Sequence, residues 1–271
     1  MNNNNVLIWN ARGLNSPARR SVVRSLVVQE HASVVCLQET KVDSVSVAMA
    51  NELTGIDFDY LCVSSEAASG GIILAWDRSL WAASQTSARV FSASIRLRPA
   101  QGDDSDSWWL TVVYGPTLSH LKSTFLQELR DVRAVCPGPW LVCGDLNMIL
   151  HAADKNNDRL HRGLMWRFQR VVDELELAEL QLTGRLYTWS NERDSPTIER
   201  LDRAFGSVDW MARHPTHALR AVLRLAGLAH LAPAFDAALI DWWLEARSQL
   251  PRLDRRGFDS ITLLVSWEIW K

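Results

Sequence analysis

The chain reads as an α/β protein in which two β-sheets pack face to face with helices outside. Three observations predict this. Short apolar runs bounded by turn residues recur along the sequence, amphipathic helical segments alternate with some of them, and other runs follow one another directly as hairpins. At 271 residues the chain can bury a substantial core and hold one large domain, or one domain with an appendage.

Val6 to Trp9 reads as the first strand. Ser16-Pro17 then supplies an N-cap and a first-turn proline for a helix in which Val22, Val23, Leu26 and Val27 are expected to share one face. The run Val34-Val35-Cys36-Leu37-Gln38-Glu39-Thr40 reads as a buried strand that stops on an acid. Gly70 to Trp76, Val90 to Leu97 and Trp108 to Tyr114 are strand-like, and the acidic stretch 101–107 is a polar hairpin loop. Leu121, Phe125, Leu129 and Val132 mark an amphipathic helix that ends before Cys136-Pro137-Gly138. Trp140-Leu141-Val142-Cys143-Gly144-Asp145-Leu146-Asn147 is a second buried strand that stops on an acid. A helix from about Leu160 to Leu177 and a strand from Leu186 to Trp189 complete the reading.

Composition narrows the function classes. A formal net charge of -2 and a pI near 6.4 exclude the global basic signature of a passive nucleic-acid coat, so any grip on nucleic acid must be local. The local cations are Lys155, Arg159, Arg162, Arg167 and Arg170, with Arg185, Arg193, Arg200 and Arg203 downstream and Arg12 after the first strand. They read either as a track for a nucleic-acid backbone or as a solvated face diluted by Asp154, Asp158, Asp173, Glu174 and Glu176. Cys36, Cys62, Cys136 and Cys143 show no zinc-knuckle spacing and read as reduced core thiols. The asparagine-rich start lacks the pattern of a signal peptide and no stretch approaches a membrane span, so a nuclear or cytoplasmic chain without membrane contact is expected. Thirteen tryptophans are explained first as core packing.

The chemistry collects at strand ends. Asn10 ends the first strand, Glu39 the second, Tyr114 the Val112-Val113 strand, and Asp145 with Asn147 the next; Asp202 sits in Glu199-Arg200-Leu201-Asp202-Arg203. Open α/β sheets place ligand crevices at such carboxyl edges. Two carboxylates meeting in one cleft suit Mg2+, which takes oxygen ligands, and Mn2+ would satisfy the same donors. Glu39 can hold the metal, Asp145 and Asn147 can orient a water or contact phosphate, and the Tyr114 hydroxyl can reach a phosphoryl oxygen or the leaving group. The set points to metal-assisted cleavage of a phosphate ester, with no organic cofactor. Taken singly, Gly-Asp-x-Asn also reads as an Asx-type turn and a tyrosine before Gly-Pro as a turn aromatic; the order and separation of the pieces favour the site.

In that order, Trp9-Asn10-Ala11-Arg12-Gly13-Leu14, Leu37-Gln38-Glu39-Thr40, Ser69-Gly70-Gly71-Ile72, Val113-Tyr114-Gly115-Pro116, Gly144-Asp145-Leu146-Asn147 and Arg200-Leu201-Asp202-Arg203 resemble the endonuclease/exonuclease/phosphatase superfamily. Within it, Lys155-Asn156-Asn157-Asp158-Arg159 and Gly184-Arg185-Leu186-Tyr187-Thr188-Trp189-Ser190-Asn191 are similar to the apurinic-endonuclease-like domain of plant LINE-type (non-LTR) retrotransposon polyproteins. The resemblance covers about residues 5–220 and implies a four-layer α/β sandwich and a Mg2+-dependent cut in DNA. It also implies roles. Asn10 and Asn147 would position phosphate, Glu39 would ligate metal with Asp145 as a possible second ligand, Tyr114 would stabilise the transition state, Asp145 would align the nucleophile, and Asp202 would orient a catalytic histidine. Lys155 and Arg159 would track the DNA backbone.

The chain departs from the pattern at that histidine. The family closes on Ser-Asp-His, whereas here the segment is Ala226-Gly227-Leu228-Ala229-His230-Leu231-Ala232-Pro233. His230 reads first as an incidental histidine of an apolar segment, and second as a displaced catalytic base. Beyond it, Trp242, Trp243, Trp267 and Trp270 lie in a stretch similar to the far C-terminal tail of the same polyproteins. The expected organisation is therefore a nuclease-like domain over 1–230, truncated at its end, and a helical tail over 231–271 able to oligomerise through its tryptophans. Three function classes follow: an impaired Mg2+-dependent endonuclease, an inactive relic that at most binds nucleic acid, or a superfamily cousin acting on phosphorylated lipids or small molecules, against which the segments at 155–159 and 184–191 argue.

Overall fold

A computed structural model describes residues 5–65, 70–180, 186–214 and 245–250. The first sheet is built from β1 (Asn5–Asn10), β2 (Ala32–Gln38), β3 (Phe58–Val63) and β4 (Ile72–Asp77), in the order β1-β2-β4-β3. Helices α1 (Pro17–Gln29) and α2 (Val47–Thr54) intervene. The second sheet holds β5 (Trp81–Ala88), β6 (Ser92–Pro99), β7 (Trp108–Tyr114), β8 (Trp140–Asp145), β9 (Leu177–Leu180) and, later in the chain, β12 (Asp202–Ser207). Its order is β5-β6-β7-β8-β12-β9. Helices α3 (Lys122–Val135) and α4 (Arg162–Glu174) follow β7 and β8, a two-stranded ribbon pairs β10 (Trp189–Ser190) with β11 (Ile198–Glu199), and α5 (Val208–Arg213) follows β12.

Strand alternation sorts the apolar residues into three cores. Val34, Cys36, Leu74, Ile95, Leu110, Val112 and Cys143 meet between the sheets. Val35, Leu37 and Ile73, on the opposite face of the first sheet, pack against Val23 and Val27 of α1 and Leu53 of α2. Trp140, Val142 and Phe205, on the outer face of the second, pack against Phe125, Leu129 and Val132 of α3 and Phe168 and Val171 of α4. Helix, sheet, sheet, helix is the four-layer sandwich expected. Each layer follows from period-two burial in strands and period-3.6 burial in helices.

Several elements differ from the sequence reading. Val22 is half exposed because it faces the cleft described below, while its neighbour Val23 takes the core position. The α4 helix stops at Glu174, where Glu176 adopts a left-handed φ of 52° and Leu177 opens β9. Of the expected 186–189 strand only Trp189 is paired, and the pairing continues at Ser190. β5 escapes sequence reading because it is an edge strand whose central residues are polar and exposed. The cysteines are free, with Cys36, Cys136 and Cys143 buried. No helix among the described residues is long and apolar enough to cross a membrane. In the tail only residues 245–250 are described, with Ala246 and Leu250 buried; Trp242, Trp243, Trp267, Trp270 and His230 lie outside the described residues.

Candidate active site

The site forms at one edge of the sandwich, where β1 and β2 of one sheet and β7 and β8 of the other end together. Asp145 ends β8, and strand register sets Tyr114 beside it on the parallel β7 and Asp202 beside it on the antiparallel β12. Asp145 shares the inter-sheet face with Cys143, Tyr114 with Val112, and Asp202 with Ala204. Period two therefore aims all three groups into the space between the sheets.

Across that space Asn10 donates through Nδ2 to Asp145 Oδ2 at 2.9 Å. The Asn147 backbone N–H donates to Asp145 Oδ1 at 2.9 Å, so both carboxylate oxygens are held. Asn147 takes a left-handed φ of 51° and donates its own Nδ2 to the Gly115 carbonyl at 2.8 Å. Such a turn is tolerated by asparagine more readily than by most residues. Glu39 lies one residue past β2, also left-handed at φ 51°, and its Oε1 is 2.8 Å from Lys41 Nζ. Gly70 makes room for Tyr114: a Cβ there would stand 2.5 Å from Tyr114 Cε1.

The electrostatics follow from burial and like charge. Burial, then the Asp202 carboxylate and more weakly Glu39, push Asp145 up to about 7, against the lowering effect of Asn147 and Asn10. Burial also raises Asp202, opposed by its hydrogen bond to Thr188 and by the Arg12 charge. Tyr114 is held above the usual phenol range by burial, with Glu39 and Asp145 adding to the shift. Asp202 and Glu39 thus both act on Asp145, while the nearby cations, Lys41 and Arg12, face Glu39 and Asp202 rather than Asp145.

A cleft of about 1050 Å³ opens beside the site, lined by Trp9, Asn10, Arg12, Lys41, Asp145, Trp189 and Asp202 among others. Among the described residues no histidine lines it, and no three His, Cys, Asp or Glu side chains form a metal-holding group. The anionic groups present are the carboxylates of Glu39, Asp145 and Asp202. That chemistry fits a hard cation that takes one or two protein carboxylates and keeps most of its waters, and does not fit a closed centre.

The structure thus gathers Asn10, Glu39, Tyr114, Asp145, Asn147 and Asp202 in one place. Lys155 sits apart in an ion pair with Glu199 at 2.7 Å, and Arg159 is exposed. Arg200 and Arg203, read from sequence as local cations for nucleic acid, are buried: Arg203 pairs with Asp154 and Glu179, and Arg200 lies 2.8 Å from Glu179. Their charge is spent on the scaffold, because the acids that match them sit on neighbouring elements far away in sequence. Two contributors went unread. Thr188 accepts from the Leu201 and Asp202 N–H groups at 3.0 and 3.1 Å, and Lys122 donates through Nζ to the Asn147 carbonyl at 2.7 Å. Thr188 lies inside a recognised motif, whereas nothing local marks Lys122.

Among curated proteins none matches the chain. Among solved structures, the fold is similar to the endonuclease domain of TRAS1, a telomere-specific non-LTR retrotransposon, at 15% identity and TM-score 0.56, covering 74% of this chain and 84% of that one. It is also similar to an AP endonuclease from Leishmania major, at 17% identity and TM-score 0.59, covering 74% and 78%. A 3′ phosphatase from Neisseria, bound to a product DNA hairpin, gives 18% identity and TM-score 0.54, covering 74% and 86%. These likenesses show the fold. Residues 7–219 match the model of the Endonuclease/Exonuclease/phosphatase family, a span that runs from β1 past α5 and takes in every strand-end residue of the site. With the match extending over well more than half of its length, the chain belongs to the endonuclease/exonuclease/phosphatase family.

Proposed function

We propose that this protein is the endonuclease domain of a LINE-type, non-LTR retrotransposon, and that it nicks DNA in a reaction that needs Mg2+ or Mn2+. The observation that carries this reading is the Asp145 carboxylate, held on one oxygen by Asn10 and on the other by the Asn147 N–H, with Tyr114 and Asp202 in register on either side. Relatives in fold that include a retrotransposon endonuclease domain and an AP endonuclease support DNA as the substrate. The segments at 155–159 and 184–191 favour the plant LINE subgroup.

Glu39 would hold the cation, with Asp145 as the possible second ligand. When bound, the cation supplies positive charge against the phosphoryl oxygens. Asp145, held on both oxygens by Asn10 and the Asn147 N–H, orients the attacking water. Attack at phosphorus breaks the bond to the 3′ oxygen, which takes a proton from solvent and leaves as a 3′ hydroxyl, while the phosphate stays on the 5′ oxygen. Asn10 and Asn147 place amide groups where the phosphate is positioned, and the Tyr114 hydroxyl donates to a phosphoryl oxygen as charge develops there. Arg159, exposed on the loop after β8, contacts the flanking backbone; Lys155 joins it only by leaving Glu199. Residues 231–271 would be the polyprotein tail that follows the domain.

A second reading, an inactive relic that binds nucleic acid without cutting it, is favoured by the segment Ala226 to Pro233, where alanine stands in place of the acid before His230. The test is nicking of supercoiled plasmid by the full chain with Mg2+ or with EDTA, beside Asp145→Ala and His230→Ala. Nicking that needs both cation and Asp145 supports the nuclease, and its loss in His230→Ala gives His230 the role of the missing histidine. Folded protein that leaves the plasmid intact sinks the nuclease reading.

A further inference from the structure

Lys122 is the first residue of α3, partly buried, and 25 residues from the carbonyl to which it donates. Its ammonium is 2.7 Å from the Asn147 oxygen. That oxygen belongs to Asn147, two residues past the end of β8, where the backbone takes a left-handed φ of 51°. Asn147 in turn holds Asp145 through its N–H and anchors itself on Gly115 through its side chain. Lys122 therefore closes a chain of contacts from α3 to the Asp145 carboxylate. A cationic donor on a carbonyl is a charge-assisted hydrogen bond, stronger than one between neutral groups. Burial lowers the lysine's pKa, while Glu199 and Asp145 oppose that shift, so two acids favour the charged form that the bond uses.

We propose that Lys122 is a positioning residue of this site: its ammonium fixes the left-handed Asn147 turn and through it the orientation of the Asp145 carboxylate. The proposal rests on the nuclease reading for its effect on rate, and on the structure alone for its effect on the turn. Lys122→Met keeps the aliphatic stem and removes the donor, and Lys122→Arg restores a cationic donor. Hydrogen exchange at the Asn147 amide, read by NMR on the full chain, reports the turn directly, because that N–H is bonded to Asp145 Oδ1. In Lys122→Met the Asn147 amide is expected to exchange about tenfold faster or more while core amides of β7 and β8 keep their protection. Lys122→Arg should return it towards wild type. In plasmid nicking, kcat should fall about tenfold in Lys122→Met with KM within about twofold, the split expected when an interaction matters in the transition state and not in substrate binding.

Unchanged Asn147 exchange in a folded Lys122→Met variant overturns the proposal, whatever the nicking assay gives. If core amides lose protection together with Asn147, Lys122 holds up the fold as a whole and the proposal also falls. If Asn147 responds selectively and Lys122→Arg rescues it, the positioning role stands, and a wild-type chain that then leaves DNA intact removes only the nuclease reading.

Discussion

Asp202 and Arg203 are neighbours on β12, yet they belong to two charge clusters of opposite character. Arg203 faces the helix side with Phe205, where it pairs with Asp154 and Glu179, and Asp154 also accepts from the Leu150 and His151 N–H groups. Asp202 faces the inter-sheet side with Ala204, where its β8 partner is another carboxylate, Asp145. One cluster is balanced and saturated with donors; the other sets like charges together beside an open cleft. The same strand shows that this fold can bury charge in compensated form. The Asp145–Asp202 pair, with no cation paired to Asp145, therefore marks the place where stability has been given up, and titratable groups perturbed in that way concentrate at functional sites.

The contrast is broken or upheld most strongly by two substitutions. Asp145→Asn should reduce nicking by about a thousandfold or more, since the group that aligns the water is gone. At pH 8 the same variant should be at least as stable as wild type, by on the order of 1 kcal/mol, because a buried charge facing Asp202 has been removed. Arg203→Met should do the reverse, lowering unfolding free energy by about 3–5 kcal/mol, since it leaves Asp154 buried without its cation and Glu179 with Arg200 alone. Urea denaturation and plasmid nicking on both variants decide it. A destabilised Asp145→Asn beside an untouched Arg203→Met would erase the distinction between the clusters.

The difference between the clusters also explains what could be read from sequence. Glu39 and Asp145 were legible because each ends an apolar run, a signal carried by consecutive residues. Tyr114 and Asn10 were legible for the same reason, and the face they share follows from period two. Arg200 and Arg203 were misread as local cations for nucleic acid because their matching acids, Asp154 and Glu179, lie 20 or more residues away and meet them only when β9 and the loop after β8 fold against β12. Lys122 was illegible for a related reason: at the start of an amphipathic helix it looks like any solvent-facing lysine, and only the turn at Asn147 gives it a target. Long-range pairing of charge leaves no local trace in composition or periodicity.

A pH titration sharpens the comparison at intermediate magnitude. An ordinary aspartate in the unfolded chain releases its proton near pH 4, whereas folded Asp145, without a divalent cation, holds its proton up to about 7. Between those values the folded state binds the extra proton, so this group's contribution to stability falls as pH rises through the window. The thermal midpoint of wild type should therefore drop relative to Asp145→Asn from about pH 4 to pH 7 and level off above. Replacing Asp202 by asparagine should move the upper limit of that window to lower pH, since the Asp202 charge is second only to burial in raising Asp145. A midpoint difference that does not change with pH would mean that Asp145 titrates as an ordinary aspartate, and an unmoved window in the Asp202 variant would mean that the two carboxylates do not repel.

The smallest effect is expected at the cleft mouth, where Arg12 and Glu192 stand 3.9 Å apart with most of both side chains in water. Their charges are opposite, as in the Arg203 cluster, yet solvent screens them and ordering two long side chains offsets the attraction. Glu192→Gln should leave stability within about 0.5 kcal/mol, measured by the same urea unfolding. Its use lies in what it does to Arg12, whose charge lowers the Asp202 pKa and which lines the cleft. Freed from Glu192, Arg12 has, among the described residues, the site acids as charge partners and is open to an incoming phosphate, so DNA binding at low salt should tighten slightly and depend more steeply on salt. A large loss of stability in Glu192→Gln would mean that exposed and buried pairs contribute alike here, and charge balance alone, without burial, would then separate the scaffold from the site.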